Sequence, residues 1–282
     1  MVEGIPTYEV VEGWGRLPEG WTFTQVAGVS VDSRDRVYVL CRGEHPIILF
    51  GADGEFIESR GEGLFTRAHG AYIDAEDNLY CVDDGDHTVR KFAGDGELIM
   101  TLGVKGRPAP PGEPFNRPTD VAPAPNGDLY VSDGYANSRV HRFSADGELI
   151  QSWGEPGSGP GQFNLPHGVW VRGDRVYVAD RQNDRIQVFT LQGVYVEEWA
   201  GLGRPCDIYM DGEGHVFVAE LTTRVSVLSL GGEALARIGD GRGSSPGQFM
   251  APHCIWGDSH GCVYVGEVLE GQRIQKFAPA KS

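Results

Sequence analysis

A short phrase recurs six times along this chain, and its spacing limits the possible folds more than any other feature. In its fullest form it reads Phe163-Asn164-Leu165-Pro166-His167-Gly168-Val169-Trp170-Val171, where a Gly/Pro-rich loop gives way to a β-branched, aromatic strand. It returns as Thr66-Arg67-Ala68-His69-Gly70-Ala71-Tyr72-Ile73 and as Met250-Ala251-Pro252-His253-Cys254-Ile255-Trp256. Versions without histidine stand at Val26-Ala27-Gly28-Val29, Pro118-Thr119-Asp120-Val121 and Pro205-Cys206-Asp207-Ile208. Aligned, one position reads Ala27, His69, Thr119, His167, Cys206, His253, in steps of 42, 50, 48, 39 and 47 residues. A period of about 40–50 residues holding several short strands is the mark of a β-propeller.

Each repeat has one grammar. An apolar strand follows the phrase, and then a turn rich in Asp, Asn and Gly. A second strand follows, such as Val37-Tyr38-Val39, Leu79-Tyr80-Cys81-Val82 or Leu129-Tyr130-Val131. A third alternates in polarity, as in Thr88-Val89-Arg90-Lys91-Phe92 or Arg185-Ile186-Gln187-Val188-Phe189. A turn such as Gly94-Asp95-Gly96 leads to a fourth, Glu97 to Gly103 or Glu148 to Gly154. Period-2 alternation between frequent turns predicts four-stranded antiparallel blades. The sixth repeat stops at Phe277 without a fourth strand, and Tyr8 to Gly15 resembles Glu148 to Gly154. The expectation is an all-β, six-bladed propeller whose N-terminal strand completes the last blade. Its blades would span about 26–61, 68–103, 118–154, 166–200, 205–240 and 252–277 plus 7–15, in a single domain over 1–282. Such closure removes exposed strand edges.

The composition agrees with a turn-rich β protein. The 41 glycines are roughly twice the average share of about 7%. A formal charge of −16 repels phosphate backbones and argues against nucleic acid as a partner. The five cysteines, Cys41, Cys81, Cys206, Cys254 and Cys262, are odd in number and scattered, which is no disulfide framework. The N-terminus lacks the apolar core of a signal peptide. No apolar run approaches the roughly 18 residues that a membrane span needs. A cytoplasmic protein without membrane contact is expected.

The histidines occupy every second repeat. In a six-bladed ring, blades two apart stand about 120° apart around the axis. His69, His167 and His253, at the start of the innermost strands of blades 2, 4 and 6, would then face one another at one mouth of the channel. Three imidazoles with an open position suit a catalytic Zn²⁺. Against this, a Pro-His-Gly turn can be purely structural, but three in alternate repeats and none between favour ligation. Cys206 shares the column and reads as a buried small residue. The second strand runs antiparallel to the first, so it ends at the same mouth. The residues there are Arg42, Asp84, Gly134, Arg181, Leu221 and Val268, with Tyr135 one further on. Arg42 and Arg181 suit a carboxylate, or could pair with the acidic column of Asp83, Asp133 and Asp180. Tyr135 could act as a base, or be an ordinary turn aromatic.

The run Arg117-Pro118-Thr119-Asp120-Val121, Ser132-Asp133-Gly134-Tyr135-Ala136-Asn137-Ser138-Arg139, Pro160-Gly161-Gln162-Phe163, Pro166-His167 and Ala179-Asp180-Arg181-Gln182-Asn183 carries a further signal. The repeats resemble NHL repeats. The middle run resembles peptidyl-α-hydroxyglycine α-amidating lyase, over most of the chain and most strongly over 115–190. That family cleaves an N-acylated α-hydroxyglycine to an amide and glyoxylate. Its three zinc-binding histidines match His69, His167 and His253. Its catalytic tyrosine matches Tyr135, and its active-site arginines match Arg42 and Arg181. The animal enzymes hold a structural calcium with an aspartate directly after the third histidine. Cys254 stands there in this chain, which leaves a structural Ca²⁺ doubtful.

The resemblance thus implies a zinc-dependent carbon–nitrogen lyase acting on a carbinolamide that bears a carboxylate, peptide or small molecule. No monooxygenase sequence accompanies the repeats, so a separate one is the expected upstream supplier. Two rivals remain at this stage. One is a non-catalytic NHL propeller that binds a protein. The other is a related metal-dependent propeller lyase or hydrolase, such as a lactonase, acting on another small hydroxy acid.

Overall fold

The computed structural model describes residues 6–280. Its strands form six sheets of four, and within each sheet the strands pair antiparallel. The protein is an all-β, six-bladed β-propeller. Blades 1 to 5 lie within 26–60, 68–103, 120–153, 166–200 and 205–238, and blade 6 takes three strands from 252–279. Among the described residues the helical content is one 3-10 turn, Arg181–Asn183. Among these residues no helix is long and apolar enough to cross a membrane.

Val37–Cys41, Leu79–Asp83, Leu129–Asp133, Val216–Glu220 and Val263–Glu267 are buried at every residue. That is why these segments read as near-continuous apolar runs rather than as alternating ones. Fourth strands are outermost and leave side chains such as Leu98, Ile99, Leu149 and Ile150 about half exposed.

Blades 2 to 4 form one compact set, Gly63–Pro205. Its core lies between consecutive sheets, as in face-to-face sheet packing. Tyr80, Val82 and Leu102 of blade 2 pack with Val121, Val131 and Phe143 of blade 3. On its other face blade 3 offers Tyr130, Val140 and Trp153 to Val169, Val178 and Phe189 of blade 4.

Blades 5, 6 and 1 form the second set, from the described parts of Met1–Glu62 and Cys206–Ser282. Phe217 and Val225 of blade 5 pack with Ile255, Val265 and Phe277 of blade 6. Tyr264 of blade 6 joins Val29, Val39 and Phe50 of blade 1. The N-terminal strand Tyr8–Val11 pairs antiparallel with Ile274–Pro279, Val10 opposite Phe277, and completes blade 6 as its likeness to Glu148–Gly154 predicts. Trp14, just beyond, is buried against Phe50 and Tyr264 at ring-centroid distances of 5.4 and 4.9 Å. Its indole N–H donates to the Ala52 carbonyl at 3.0 Å.

Candidate active site

The histidines owe their orientation to an irregularity at the start of the first strand. In blade 2 the ladder runs Ala68 opposite Asp83 and then skips to Ala71 opposite Cys81. In blade 4 it runs Pro166 opposite Asp180, then Val169 opposite Val178. In blade 6 it runs Pro252 opposite Glu267, then Cys254 opposite Gly266. His69, His167 and His253 each fall inside such a bulge, which takes a residue out of the alternation of the strand and re-aims its side chain. Their exposures are 1%, 2% and 3%. Gly70 follows His69 because a Cβ there would lie 2.6 Å from Asp120 Oδ1 and 2.8 Å from the Thr119 carbonyl oxygen.

Main-chain carbonyls fix the tautomers. His69 Nδ1 lies 2.6 Å from the Thr119 carbonyl and His253 Nδ1 lies 3.0 Å from the Ala27 carbonyl. Thr119 and Ala27 are the column residues of the next blade in each case, so the contact repeats with the fold. A carbonyl only accepts, so Nδ1 carries a hydrogen, and in the neutral ring Nε2 is the nitrogen with the lone pair. This is the outer hydrogen bond that metal-binding imidazoles commonly make.

Within blades 2 to 4, His69 and His167 have ring centroids 4.8 Å apart, and they offer ligand atoms within 4.8 Å of one another. Tyr135 stands over this pair. Its Oη is 3.0 Å from His69 Nε2 and 3.5 Å from His167 Nε2. Two features put it there. The Tyr135 N–H donates to the Arg117 carbonyl at 3.3 Å. The preceding Gly134 passes so close to blade 4 that a Cβ would sit 1.7 Å from the Pro166 carbonyl oxygen. Blade 3 itself puts Thr119 in the column, and its hydroxyl donates to that same Pro166 carbonyl at 2.9 Å. Ser132 Oγ donates to the His167 carbonyl at 2.6 Å.

Arg181 opens the 3-10 turn after the second strand of blade 4, its N–H bonded to the Leu165 carbonyl at 3.2 Å. Its guanidinium carbon lies 5.6 Å from the Tyr135 ring centroid, and its Nε is buried without a hydrogen-bond partner among the described residues. Arg42 holds the same position after the second strand of blade 1, with its N–H on the Gln25 carbonyl at 3.1 Å and its Nη1 on Gln25 Oε1 at 2.9 Å.

The acidic column is engaged elsewhere. Asp180 pairs with Arg185 at 2.9 Å and Asp133 takes Asn137 at 2.7 Å. Asp83 accepts backbone N–H groups of Thr66, Arg67, Gly85 and Asp86. Asp133 and Asp180 also accept the Asn116 and Asn164 N–H groups, at 3.0 and 2.7 Å, so these carboxylates hold the loops before blades 2, 3 and 4 onto the second strands.

The structure therefore gathers His69, His167, Tyr135 and Arg181 in one set of blades. His253 and Arg42 occupy the equivalent positions of blades 6 and 1 in the other. Two arginines were missed by sequence reasoning. Arg67 and Arg117 lie 5.7 and 4.8 Å from the Tyr135 ring centroid. The signal was present, since each stands two residues before the column position, ahead of His69 and Thr119.

The cysteines offer no thiolate here. Burial pushes the Cys41 thiol up to about 12 and the Cys254 thiol well above its ordinary range. Cys254 Sγ lies 3.7 Å from the Val26 carbonyl, and Cys206 is fully buried. Desolvation raises the Asp207 carboxyl to about 7 despite N–H donors from Ile255 and Ile208. A second grouping of metal-type side chains, Asp211, Glu213 and His215, lies in blade 5. It is a turn brace: Asp211 Oδ1 accepts the N–H groups of Glu213, Gly214 and His215, while Oδ2 takes His215 Nδ1 at 2.7 Å.

Comparison with known proteins bears on the repeats and the fold. The NHL repeat model matches residues 115–143 and 163–189. Human NHL repeat-containing protein 3 is 32% identical over 302 residues, covering 98% of this chain and 85% of that protein. A probable peptidyl-alpha-hydroxyglycine alpha-amidating lyase of Caenorhabditis elegans is 41% identical over 95 residues, which is 32% of this chain and 27% of the relative. Among solved structures, a streptogramin B lyase superposes with a TM-score of 0.65 at 15% identity, covering 98% of this chain and 88% of the other. That likeness is one of fold. The bulged first strands, the repeated loop-bracing carboxylates and the full-length relative lead to one assignment: the chain belongs to the family of NHL repeat-containing proteins.

Proposed function

We propose that this protein is a zinc-dependent carbon–nitrogen lyase that splits a carbinolamide, an N-acyl or peptidyl α-hydroxyglycine, into an amide and glyoxylate. One observation carries the reading. A phenol oxygen lies within 3.0 and 3.5 Å of the Nε2 atoms of two buried histidines, with an arginine over its ring. Partial similarity to an amidating lyase supports it. So does the match of Tyr135, the three histidines, Arg42 and Arg181 to that family's functional residues.

The donor set fits zinc. Main-chain carbonyls keep a hydrogen on Nδ1 of His69 and His253, so that Nε2 is the ligand nitrogen of the neutral ring, the form that zinc binds. In the proposal, His69, His167 and His253 hold the ion through ring nitrogens. Bound there, it supplies Lewis acidity toward a substrate oxygen.

The remaining chemistry falls to the side chains. In the proposal Tyr135 reacts as the phenolate, and its Oη takes the proton of the substrate hydroxyl. The electron pair of that O–H bond becomes the second bond of the new carbonyl, the C–N bond breaks, and the nitrogen takes the same proton back from the Tyr135 hydroxyl to leave as the amide. Arg181 and Arg42 orient the carboxylate that becomes part of glyoxylate and offset the charge that develops beside it. The substrate is the product of an α-hydroxylation, so a separate monooxygenase upstream is part of the proposal.

The test is glyoxylate release from N-benzoyl-α-hydroxyglycine. The wild-type protein should release it, and Tyr135→Phe should be slower by at least about 100-fold with its zinc content unchanged. Release by the variant at the wild-type rate would remove Tyr135 from the mechanism. No release by the wild type across several acyl groups would favour a protein-binding scaffold.

A further inference from the structure

We propose that Arg67 and Arg117, braced on Asp84, form a second anion-binding subsite beside Tyr135, taking a carboxylate on the acyl side of the substrate. The inference rests on the lyase reading and narrows its substrate class to hydroxyglycines whose acyl group is itself acidic.

The argument starts from the pairing of charges. Asp84 is fully buried, and it receives both arginines on one oxygen. Arg67 Nη1 lies 2.5 Å and Arg117 Nη2 lies 2.8 Å from Asp84 Oδ2. Asp84 Oδ1 is buried with no hydrogen-bond partner among the described residues. Two cations thus share one anion. Four arginines away from Tyr135 are matched differently. Arg185 has both Asp180 and Glu198, Arg90 has Asp83 and Asp86, and Arg142 and Arg273 have Asp128 and Glu267 to themselves. An excess positive charge stands out in a chain of net charge −16.

The arginines are also available. Their side chains are 37% and 43% exposed. A guanidinium carries five N–H donors, and among the described residues each of these makes its hydrogen bond to Asp84 alone. The Asp84 N–H bonds the Arg67 carbonyl at 3.2 Å, and the Tyr135 N–H bonds the Arg117 carbonyl. Backbone and carboxylate together hold two half-open guanidinium forks in fixed positions, an arrangement suited to a carboxylate.

Their location completes the case. The guanidinium carbons lie 5.7 and 4.8 Å from the Tyr135 ring centroid, beside Arg181 at 5.6 Å. The carboxylate that leaves in glyoxylate is already served by Arg181 and Arg42. The Arg67–Arg117 pair exceeds what a singly charged substrate requires at this phenol.

The experiment compares two nearly isosteric probes, N-succinyl-α-hydroxyglycine, which carries the second carboxylate, and N-succinamoyl-α-hydroxyglycine, which carries an amide in its place. The wild type should favour the acid by about tenfold or more in kcat/KM. In Arg67→Gln and Arg117→Gln this preference should shrink, chiefly through KM, and in the double variant it should approach unity, with Lys substitutions recovering part of it. Melting curves confirm that each variant is folded. No preference in the wild type overturns the proposal, and so does an equal loss on both probes, which would mean that the pair only braces Tyr135. If neither probe is cleaved, the lyase reading fails separately. The subsite is then read by calorimetry with free succinate. Binding weakened about tenfold or more in the double variant supports it, and unchanged or absent binding overturns it.

Discussion

At the scale of single residues, the site depends on how closely two backbones approach. Gly134 lets the chain pass over the Pro166 carbonyl, where a Cβ would overlap it at 1.7 Å. We expect Gly134→Ala to destabilise the fold by about 3 kcal/mol, as severe overpacking does, and to lower turnover further by displacing Tyr135. Chemical denaturation and the glyoxylate assay would measure the two effects. A variant of unchanged stability would mean that blade 3 can shift without cost. The histidines were visible in the sequence because they recur in one column, and Tyr135 because it stands one residue beyond another. Arg67 and Arg117 were visible as letters but not as a pair. Their convergence on Asp84 depends on which backbone groups meet across the mouth, and a one-dimensional alignment does not contain that.

At the scale of elements, the first strands of blades 2, 4 and 6 carry their histidines in a bulge rather than in the regular ladder. The sequence marked the place by a recurring phrase, Ala68-His69-Gly70, Pro166-His167-Gly168 and Pro252-His253-Cys254. The two-for-one pairing that turns the imidazole is a property of two strands together and could not be read from one. The closing strand was legible, because Tyr8 to Gly15 repeats the pattern of a fourth strand in a chain whose last repeat lacks one. Trp14 extends that closure into the core between blades 6 and 1. Trp14→Ala should cost about 3–5 kcal/mol, and deletion of residues 1–16 should cost more, by also exposing the edge of Ile274–Pro279. Thermal melting gives the order. A deletion melting at the wild-type temperature would contradict the closure.

At the scale of the whole molecule, the same propeller fold is shared with a streptogramin B lyase at 15% identity, so fold alone does not choose a reaction. The choice rests on a few side chains in a strongly acidic protein, where cations near Tyr135 stand against a net charge of −16. Zinc held by residues from distant repeats would couple binding to folding. Removing it with a chelator should lower the melting temperature of the wild type and leave a His167→Ala variant unaffected. Equal sensitivity of both proteins would mean that the chelator acts elsewhere.

The central claim is that histidines in alternate repeats build one metal centre. The most direct test is the zinc content of purified protein by elemental mass spectrometry, wild type beside His167→Ala. The account predicts about one zinc per wild-type chain and a near-complete loss in the variant. Wild-type protein that stays metal-free after zinc is added, or a variant that keeps its zinc, would contradict it.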